Sequence, residues 1–80
     1  MATYLLAHRH TAADCNVVFA AWTGFASPLR HRSALASCLT GGHCLWWTVE
    51  ADDVASALAY LPDYVAARTE AIAVRPVTIP

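Results

Sequence analysis

The stretch "TGGHCLWWT", residues 40–48, decides the fold because it joins a turn to the beginning of a strand. Gly41 and Gly42 favour a tight turn, since glycine adopts turn conformations that residues with a Cβ rarely adopt. The run "SALASCL" (33–39) before the turn and the run "HCLWWTVE" (43–50) after it are both typical of strands. The stretch therefore predicts a β-hairpin.

The residues before the hairpin predict a strand and then a helix. "TYLLAHR" (3–9) is typical of a strand, and Thr11 begins "TAAD", which resembles a capping box with Asp14 in the first helical turn. The apolar residues that follow recur at helical spacing and are Cys15, Val18, Phe19, Trp22 and Phe25. We expect a helix that ends near Phe25, with Cys15 in its buried stripe.

The residues after the hairpin predict a second helix and a last strand. Asp52 or Asp53 caps "DVASALAYL", and Pro62 interrupts this helix before it restarts through "DYVAART". "EAIAVRPVTI" (70–79) is typical of a strand. Pro76 lies within it and cannot donate a ladder hydrogen bond, so we expect this strand at an edge of the sheet.

The elements occur in the order β-α-β-β-α-β, which is the ferredoxin-like pattern. We therefore predict a single α+β domain over residues 1–80, with a four-stranded antiparallel sheet in the order 4-1-3-2 and two helices on one face. In this arrangement the ends of strands 1 and 2 meet the starts of strands 3 and 4 at one rim. The side chains expected at this rim are His8, His10, Cys38, His43, Cys44 and Glu70.

The composition argues against several classes of protein. The net charge is -1 and all five basic residues are arginine, so the chain lacks the basic surface by which proteins bind nucleic acid. Although 58% of the residues are hydrophobic, no run reaches the roughly 18 apolar residues of a membrane span. The first ten residues do not resemble a signal peptide, and three cysteines are an odd number for a disulfide framework. We expect a cytoplasmic protein with reduced thiols.

Alternation along the strands predicts which side chains lie under the helices. On strand 3 the more apolar set is expected to face the helices, and on strand 1 the smaller side chains of Leu5 and Ala7 are expected to do so. The side chains left for the open face are Tyr4, Leu6, His8, His10, Trp46, Ile72 and Val74. Because such a face is too apolar to leave in water, we predict a homodimer that buries it.

The second half of the chain, "WWTVEADDVASALAYLPDYVAARTEAIAVRPV" (46–77), is similar to an uncharacterised family of small domains within the dimeric α+β barrel superfamily. The residues that carry this resemblance are Glu50, Asp53, Tyr64, Pro76 and Val77. The resemblance implies a ferredoxin-like fold and a dimer that forms through the open sheets. Activities in this superfamily vary widely, so the resemblance does not imply a reaction.

The leading functional hypothesis is a dimer whose facing sheets enclose a cavity for a small apolar molecule. Such a protein could be a cofactor-free enzyme, similar to the monooxygenases or isomerases of that superfamily, or a binding protein. His8 is the candidate acid-base residue, because imidazole exchanges protons near neutral pH. The pocket lining is predicted to consist of Tyr4, Leu6, Trp46 and His43.

Two alternatives remain open. His8 and His10 lie two positions apart on one strand and therefore on one face, so with His43 they could bind nickel, zinc or copper. The chain could also be a purely structural homodimer without a cavity.

Overall fold

A computed structural model describes residues 1–80 and contains one four-stranded antiparallel sheet. Its strands are β1 (Ala2–Arg9), β2 (Leu35–Ala36), β3 (Cys44–Ala51) and β4 (Thr69–Val74). The strand order is β2-β3-β1-β4, which from the opposite edge is β4-β1-β3-β2. The sheet is built around β1 and β3, which pair antiparallel over eight residues each, whereas β2 is only two residues long.

Three short helices accompany the sheet: α1 (Cys15–Ala20), α2 (Val54–Leu58) and α3 (Asp63–Ala66). The prediction of a ferredoxin-like fold is wrong, because it requires two long helices that cover one face of the sheet. The helix expected to reach Phe25 ends at Ala20 and buries only Val18. The protein is instead a small α+β domain with a sheet and short helical segments. None of these helices has the length and apolarity needed to cross a membrane.

The early end of α1 has a local cause. Trp22, Thr23 and Gly24 follow it, and aromatic, β-branched and glycine residues all favour helix less than alanine does. Gly24 has a φ of 78°, in the left-handed region that ends helices. Phe19 lies 52% exposed, so the apolar stripe inferred from spacing does not form a continuous buried face.

The predicted helix start at Asp53 and the restart after Pro62 are both confirmed, although α2 ends at Leu58 rather than continuing to Pro62. The Asp53 carboxylate accepts a hydrogen bond from the backbone N–H of Ser56 at 2.7 Å, and this bond lowers the pKa of Asp53. Pro62 lies at the N-cap of α3. The two short helices and their connection bury Leu61 and Val65 against the sheet.

The register of β1 and β3 decides which side chains form the core. Tyr4 lies opposite Val49 and Leu6 lies opposite Trp47, and directly opposed residues share a face of the sheet. The buried hydrophobic residues are Tyr4, Leu6, Val18, Leu45, Val49, Ala51, Ala57, Leu61 and Val65. The prediction for strand 3 is therefore confirmed, whereas the prediction for strand 1 is reversed by one residue. Tyr4 and Leu6 fill the space beneath the helices, and Leu5 and Ala7 lie on the opposite face.

The open face of the sheet is apolar at its centre. Trp46 lies opposite Leu35 on β2, and Leu5 lies opposite Ile72 on β4. Leu35 is 75% exposed and Ile72 is 38% exposed. Trp46, Ile72 and Val74 thus occupy the face predicted for them, and Leu5 takes the place predicted for Leu6.

The last strand is shorter than predicted. β4 ends at Val74, and residues 75–80 have no regular secondary structure. Pro76 lies just beyond the end of the strand. The strand does not continue through it because proline lacks the backbone N–H that pairing requires and restricts the residue before it. The strand itself lies at an edge of the sheet, as Pro76 indicated.

Candidate metal centre

Four side chains of metal-ligand type converge at one rim of the sheet: His10, Cys15, Cys38 and His43. Their ring nitrogen and sulfur atoms all lie within 4.8 Å of one another. A tetrahedral zinc site with bonds of about 2.0–2.3 Å separates its ligand atoms by roughly 3.3–3.8 Å. The cluster therefore needs to contract by only about 1 Å to hold one such ion.

Each ligand-type side chain lies where a secondary-structure element begins or ends. His10 follows the last residue of β1, and His43 precedes the first residue of β3. The backbone N–H of His10 donates to the carbonyl of His43 at 3.1 Å, which continues the antiparallel ladder past the strands. Cys15 begins α1, and Cys38 begins a 3-10 turn over Cys38–Thr40. Backbone hydrogen bonding thus fixes the two histidines relative to each other.

The turn between Cys38 and His43 is shaped by its glycines and by strain at His43. Gly41 has a φ of 89°, and His43 has a φ of 53°, a region that residues with a Cβ rarely adopt. A Cβ at Gly42 would overlap the side chain of Ser37. The connection is therefore a 3-10 turn over Cys38–Thr40 followed by left-handed residues, rather than a tight turn that directly joins two full strands. This geometry turns the His43 ring towards His10, with the ring centroids 5.6 Å apart.

His10 lies between the cysteines and His8. Its Nε2 is 3.6 Å from Cys38 Sγ, and its Nδ1 is 3.1 Å from His8 Nε2. The other ring nitrogen of His8, Nδ1, lies 3.0 Å from Thr69 Oγ1 and 3.3 Å from the carbonyl oxygen of Val65. Thr69 Oγ1 in turn donates to that carbonyl at 2.7 Å. A chain of hydrogen bonds therefore connects the cluster to the end of α3.

His43 has a buried nitrogen without a partner. Its Nδ1 is buried and makes no hydrogen bond in the structure. A buried polar atom that lacks a hydrogen bond costs roughly 1–3 kcal/mol. A metal ion bound to the cluster is one partner that would remove this cost.

Burial shifts the pKa values of three side chains in or beside the cluster. It lowers the pKa of His10, as does the neighbouring His43, and burial likewise lowers the pKa of His8. Both imidazoles are therefore neutral near pH 7, which is the form that binds metal ions. Burial and a hydrogen bond with Cys15 raise the pKa of the Cys38 thiol. Metal binding must consequently displace a proton from Cys38.

The structure brings together two of the three histidines that the metal hypothesis named. His10 and His43 belong to the cluster, whereas both ring nitrogens of His8 are engaged by His10 and by the end of α3. The metal hypothesis did not include Cys15, which was taken for a core residue, or Cys38, although Cys38 was expected at the same rim. The signal that could have identified them is the repeated spacing His10-x4-Cys15 and Cys38-x4-His43.

The side chains predicted to line a ligand pocket are not brought together. Tyr4 and Leu6 are in the core, and Trp46 lies on the opposite face of the sheet. His43 lies at the rim in the cluster described above. His8, the candidate acid-base residue, is only 1% exposed and faces the interior. Tyr4, Leu6, Trp46 and His43 therefore do not line one cavity within a subunit, although His8 and Trp46 both border a cavity of about 440 Å³.

No family model matches the chain, and no curated protein or solved structure is significantly similar to it. The resemblance to the dimeric α+β barrel superfamily therefore stays a prediction.

Proposed function

We propose that this protein binds one transition-metal ion of the zinc type through His10, Cys15, Cys38 and His43, and that the ion stabilises the fold. The observation that carries this proposal is the convergence of four ligand atoms within 4.8 Å from four separate segments of the chain. The metal hypothesis is thereby kept, with Cys15 and Cys38 in place of His8.

The donor atoms favour zinc over the alkaline-earth ions. Two thiolates and two imidazoles suit zinc, whereas calcium and magnesium prefer oxygen ligands. Copper(I) and nickel also accept sulfur and imidazole donors, so the set selects a class of ions rather than one element. Zinc is the first candidate, because two cysteines and two histidines complete a tetrahedral shell around it.

The number of protein ligands favours a structural role over a catalytic one. A catalytic zinc ion keeps a coordination position for water or substrate, whereas a structural zinc ion has four protein ligands. All four ligands would be supplied here by the chain itself. We therefore do not assign a reaction to this site.

The packing of residues 11–43 supports the structural role. Val18 is the only buried residue in this segment of the chain. A segment of this length with so little buried apolar surface gains little stability from packing. A metal ion at the cluster would tie Cys15 and Cys38, near the two ends of the segment, to the ends of β1 and β3.

Cobalt(II) titration of the reduced, metal-free protein tests the proposal. We expect one equivalent to bind with the absorption of a tetrahedral ion and with thiolate-to-metal charge transfer, and zinc to displace it. Cys38→Ser should lose the thiolate band in part and weaken binding. Cys44→Ser is the matched control, since Cys44 lies outside the cluster and its thiol contacts the carbonyl of Gly42. No binding, or an octahedral spectrum, would contradict the proposal.

We propose in addition that two copies associate through the open face of the sheet. Leu5, Leu35, Trp46 and Ile72 give this face an apolar centre, and large apolar patches rimmed by polar residues mark interfaces. Arg9 and Glu50 lie at opposite ends of the same face. A two-fold axis across the strands would bring each Arg9 near the Glu50 of the second copy.

The earlier hypothesis of a cavity for a small apolar molecule, with monooxygenase-like or isomerase-like chemistry and no cofactor, stays a prediction. Its predicted lining residues lie on two faces of the sheet, and only His8 and Trp46 border a common cavity.

A further inference from the structure

We propose that His8 is a positioning residue that holds the His10 ring in the tautomer required for metal binding. In this tautomer the proton is on His10 Nδ1, and the free lone pair of His10 Nε2 is directed at the cysteines. This inference rests on the proposed function, since it assigns a role to a residue behind one of the metal ligands. The observation that carries it is the hydrogen-bond chain from His10 through His8 and Thr69 to Val65.

The far end of the chain determines the direction of its hydrogen bonds. The carbonyl oxygen of Val65 can only accept, and Thr69 Oγ1 donates its single proton to it at 2.7 Å. Thr69 Oγ1 is therefore an acceptor towards His8, so His8 Nδ1 carries a proton and donates it across 3.0 Å. A neutral imidazole has only one N–H, which makes His8 Nε2 an acceptor. It receives its hydrogen bond from Nδ1–H of His10 at 3.1 Å.

If the hydrogen bonds in this chain ran in the opposite direction, some of its atoms would lack a partner. If His8 Nε2 carried the proton, His8 Nδ1 would be a bare acceptor 3.3 Å from the Val65 carbonyl oxygen, which is also an acceptor. The Thr69 hydroxyl would have to turn towards His8 and give up its 2.7 Å bond to that carbonyl. His10 would then hold its proton on Nε2, the nitrogen that faces Cys38, and could not bind an ion through it.

The burial of His8 is consistent with this role. Its side chain is 1% exposed and both ring nitrogens have partners, so it has no free lone pair to offer a metal ion. Histidine ligands almost always donate their second ring N–H to a fixed acceptor, and loss of that acceptor commonly lowers metal affinity 10–100-fold. The acceptor for His10 is itself an imidazole, which is held in turn by α3.

The experiment has two arms, of which the first needs no variant and no metal. Long-range proton–nitrogen NMR of the reduced, metal-free protein at pH 7.5 reads the tautomer of each histidine. We expect both His8 and His10 to be protonated on Nδ1. If His10 is protonated on Nε2, the proposal is wrong, whether or not the protein binds zinc.

The second arm measures zinc affinity by competition with a chelator of known affinity. His8→Leu removes the acceptor and should weaken zinc binding about 10–100-fold, and His8→Gln should recover part of the loss because its amide oxygen can accept from His10. Urea unfolding of each metal-free variant separates this effect from loss of the fold. Should His8→Leu not fold, Thr69→Val replaces it, with an expected mixture of His10 tautomers in the NMR spectrum.

Unchanged affinity in a folded His8→Leu variant would overturn the proposal. If the wild-type protein binds no zinc while its apo spectrum shows the expected tautomers, the proposed function fails and the assignment of the hydrogen-bond chain survives. The two failures are therefore distinguishable.

Discussion

Residues 11–43 contain one of the twelve buried residues of the protein, whereas residues 1–10 and 44–65 contain the other eleven. The second region is stabilised by ordinary burial: β1 and β3 pair along their full length, and the α2–α3 segment packs on them. The first region contacts this core through Val18 and through the partly buried Ala21, Trp22 and Leu29. Side chains of metal-ligand type lie close to both ends of this poorly packed region. Apolar packing therefore holds the second region, and the proposed metal ion would hold the first.

Removal of the metal should have the largest effect, and it should fall on residues 11–43. At free zinc 1,000 times above the dissociation constant, binding adds about 4 kcal/mol to the free energy of unfolding. A chelator should remove this stabilisation and increase amide hydrogen exchange throughout residues 11–43, with much less change in β1 and β3. Exchange measured by mass spectrometry with and without chelator checks this. An equal increase in hydrogen exchange in both regions would show that the metal does not stabilise residues 11–43 in particular.

A cavity in the apolar core of the second region should lower the free energy of unfolding by an amount similar to, or smaller than, the loss on metal removal. Leu6 is fully buried, so Leu6→Ala should lower the free energy of unfolding by about 2–5 kcal/mol. Urea denaturation with and without zinc measures this loss. Because Leu6 is not one of the four proposed ligands, the loss should be the same in both conditions. A loss that appears only without zinc would mean that the two regions are not independent.

Acidification should destabilise the metal-free protein. The pKa values of His8 and His10 are lowered in the folded state, so the unfolded chain binds more protons below about pH 6.5. Their contribution to stability is therefore present above pH 6.5 and is lost as the pH falls through the lowered values. Urea unfolding at pH 7.5, 6.5 and 5.5 should show this decline. His31→Gln, at an exposed position, should leave the profile unchanged, and a flat profile in the wild type would contradict the assignment.

Loss of the Asp53 cap should have a smaller effect that is confined to the well-packed region. Asp53→Ala removes the acceptor for the Ser56 N–H and should lower the melting temperature. Asp52→Ala is the matched control, because Asp52 makes no hydrogen bond through its side chain in the structure and should melt like the wild type. Equal melting temperatures for the two variants would show that the cap contributes nothing.

A charge on the open face should change association and leave the fold of each copy intact. We expect sedimentation equilibrium of the wild type at micromolar concentration to give a dimer and that of Trp46→Glu to give a monomer, because the open-face apolar centre includes Trp46. A monomeric wild type would contradict the proposed association. The cobalt spectrum of the variant should be unchanged, since Trp46 is outside the cluster.

Local signals in the sequence predicted much of the fold. The strands β1 and β3, the helix start at Asp53 and the restart after Pro62 follow from alternation, capping and proline chemistry, which act within a few residues. The length of α1 did not follow, because the spacing of Phe19 and Trp22 suits a helix even though the chain turns at Gly24.

Two parts of the site required information that is not local. The face of Tyr4 and Leu6 depends on the register with β3, and a choice based on side-chain size reversed it. The rim shared by His10, Cys38 and His43 could be predicted from strand order. The helical spacing of Cys15 instead favoured an apolar core residue, since free cysteine commonly packs as one, and only its x4 spacing from His10 pointed to the rim. That His8 and His10 share a face did follow from the sequence, because they lie two positions apart along the chain.

The most direct test of the central claim is X-ray absorption spectroscopy of the reduced protein loaded with one equivalent of zinc. The proposed site predicts two sulfur ligands at about 2.3 Å and two imidazole nitrogens at about 2.0–2.1 Å. Cys38→Ser should reduce the sulfur count to one, and Cys44→Ser should leave it at two. A shell of nitrogen and oxygen atoms alone in the wild-type protein would contradict the claim that these four residues bind the ion.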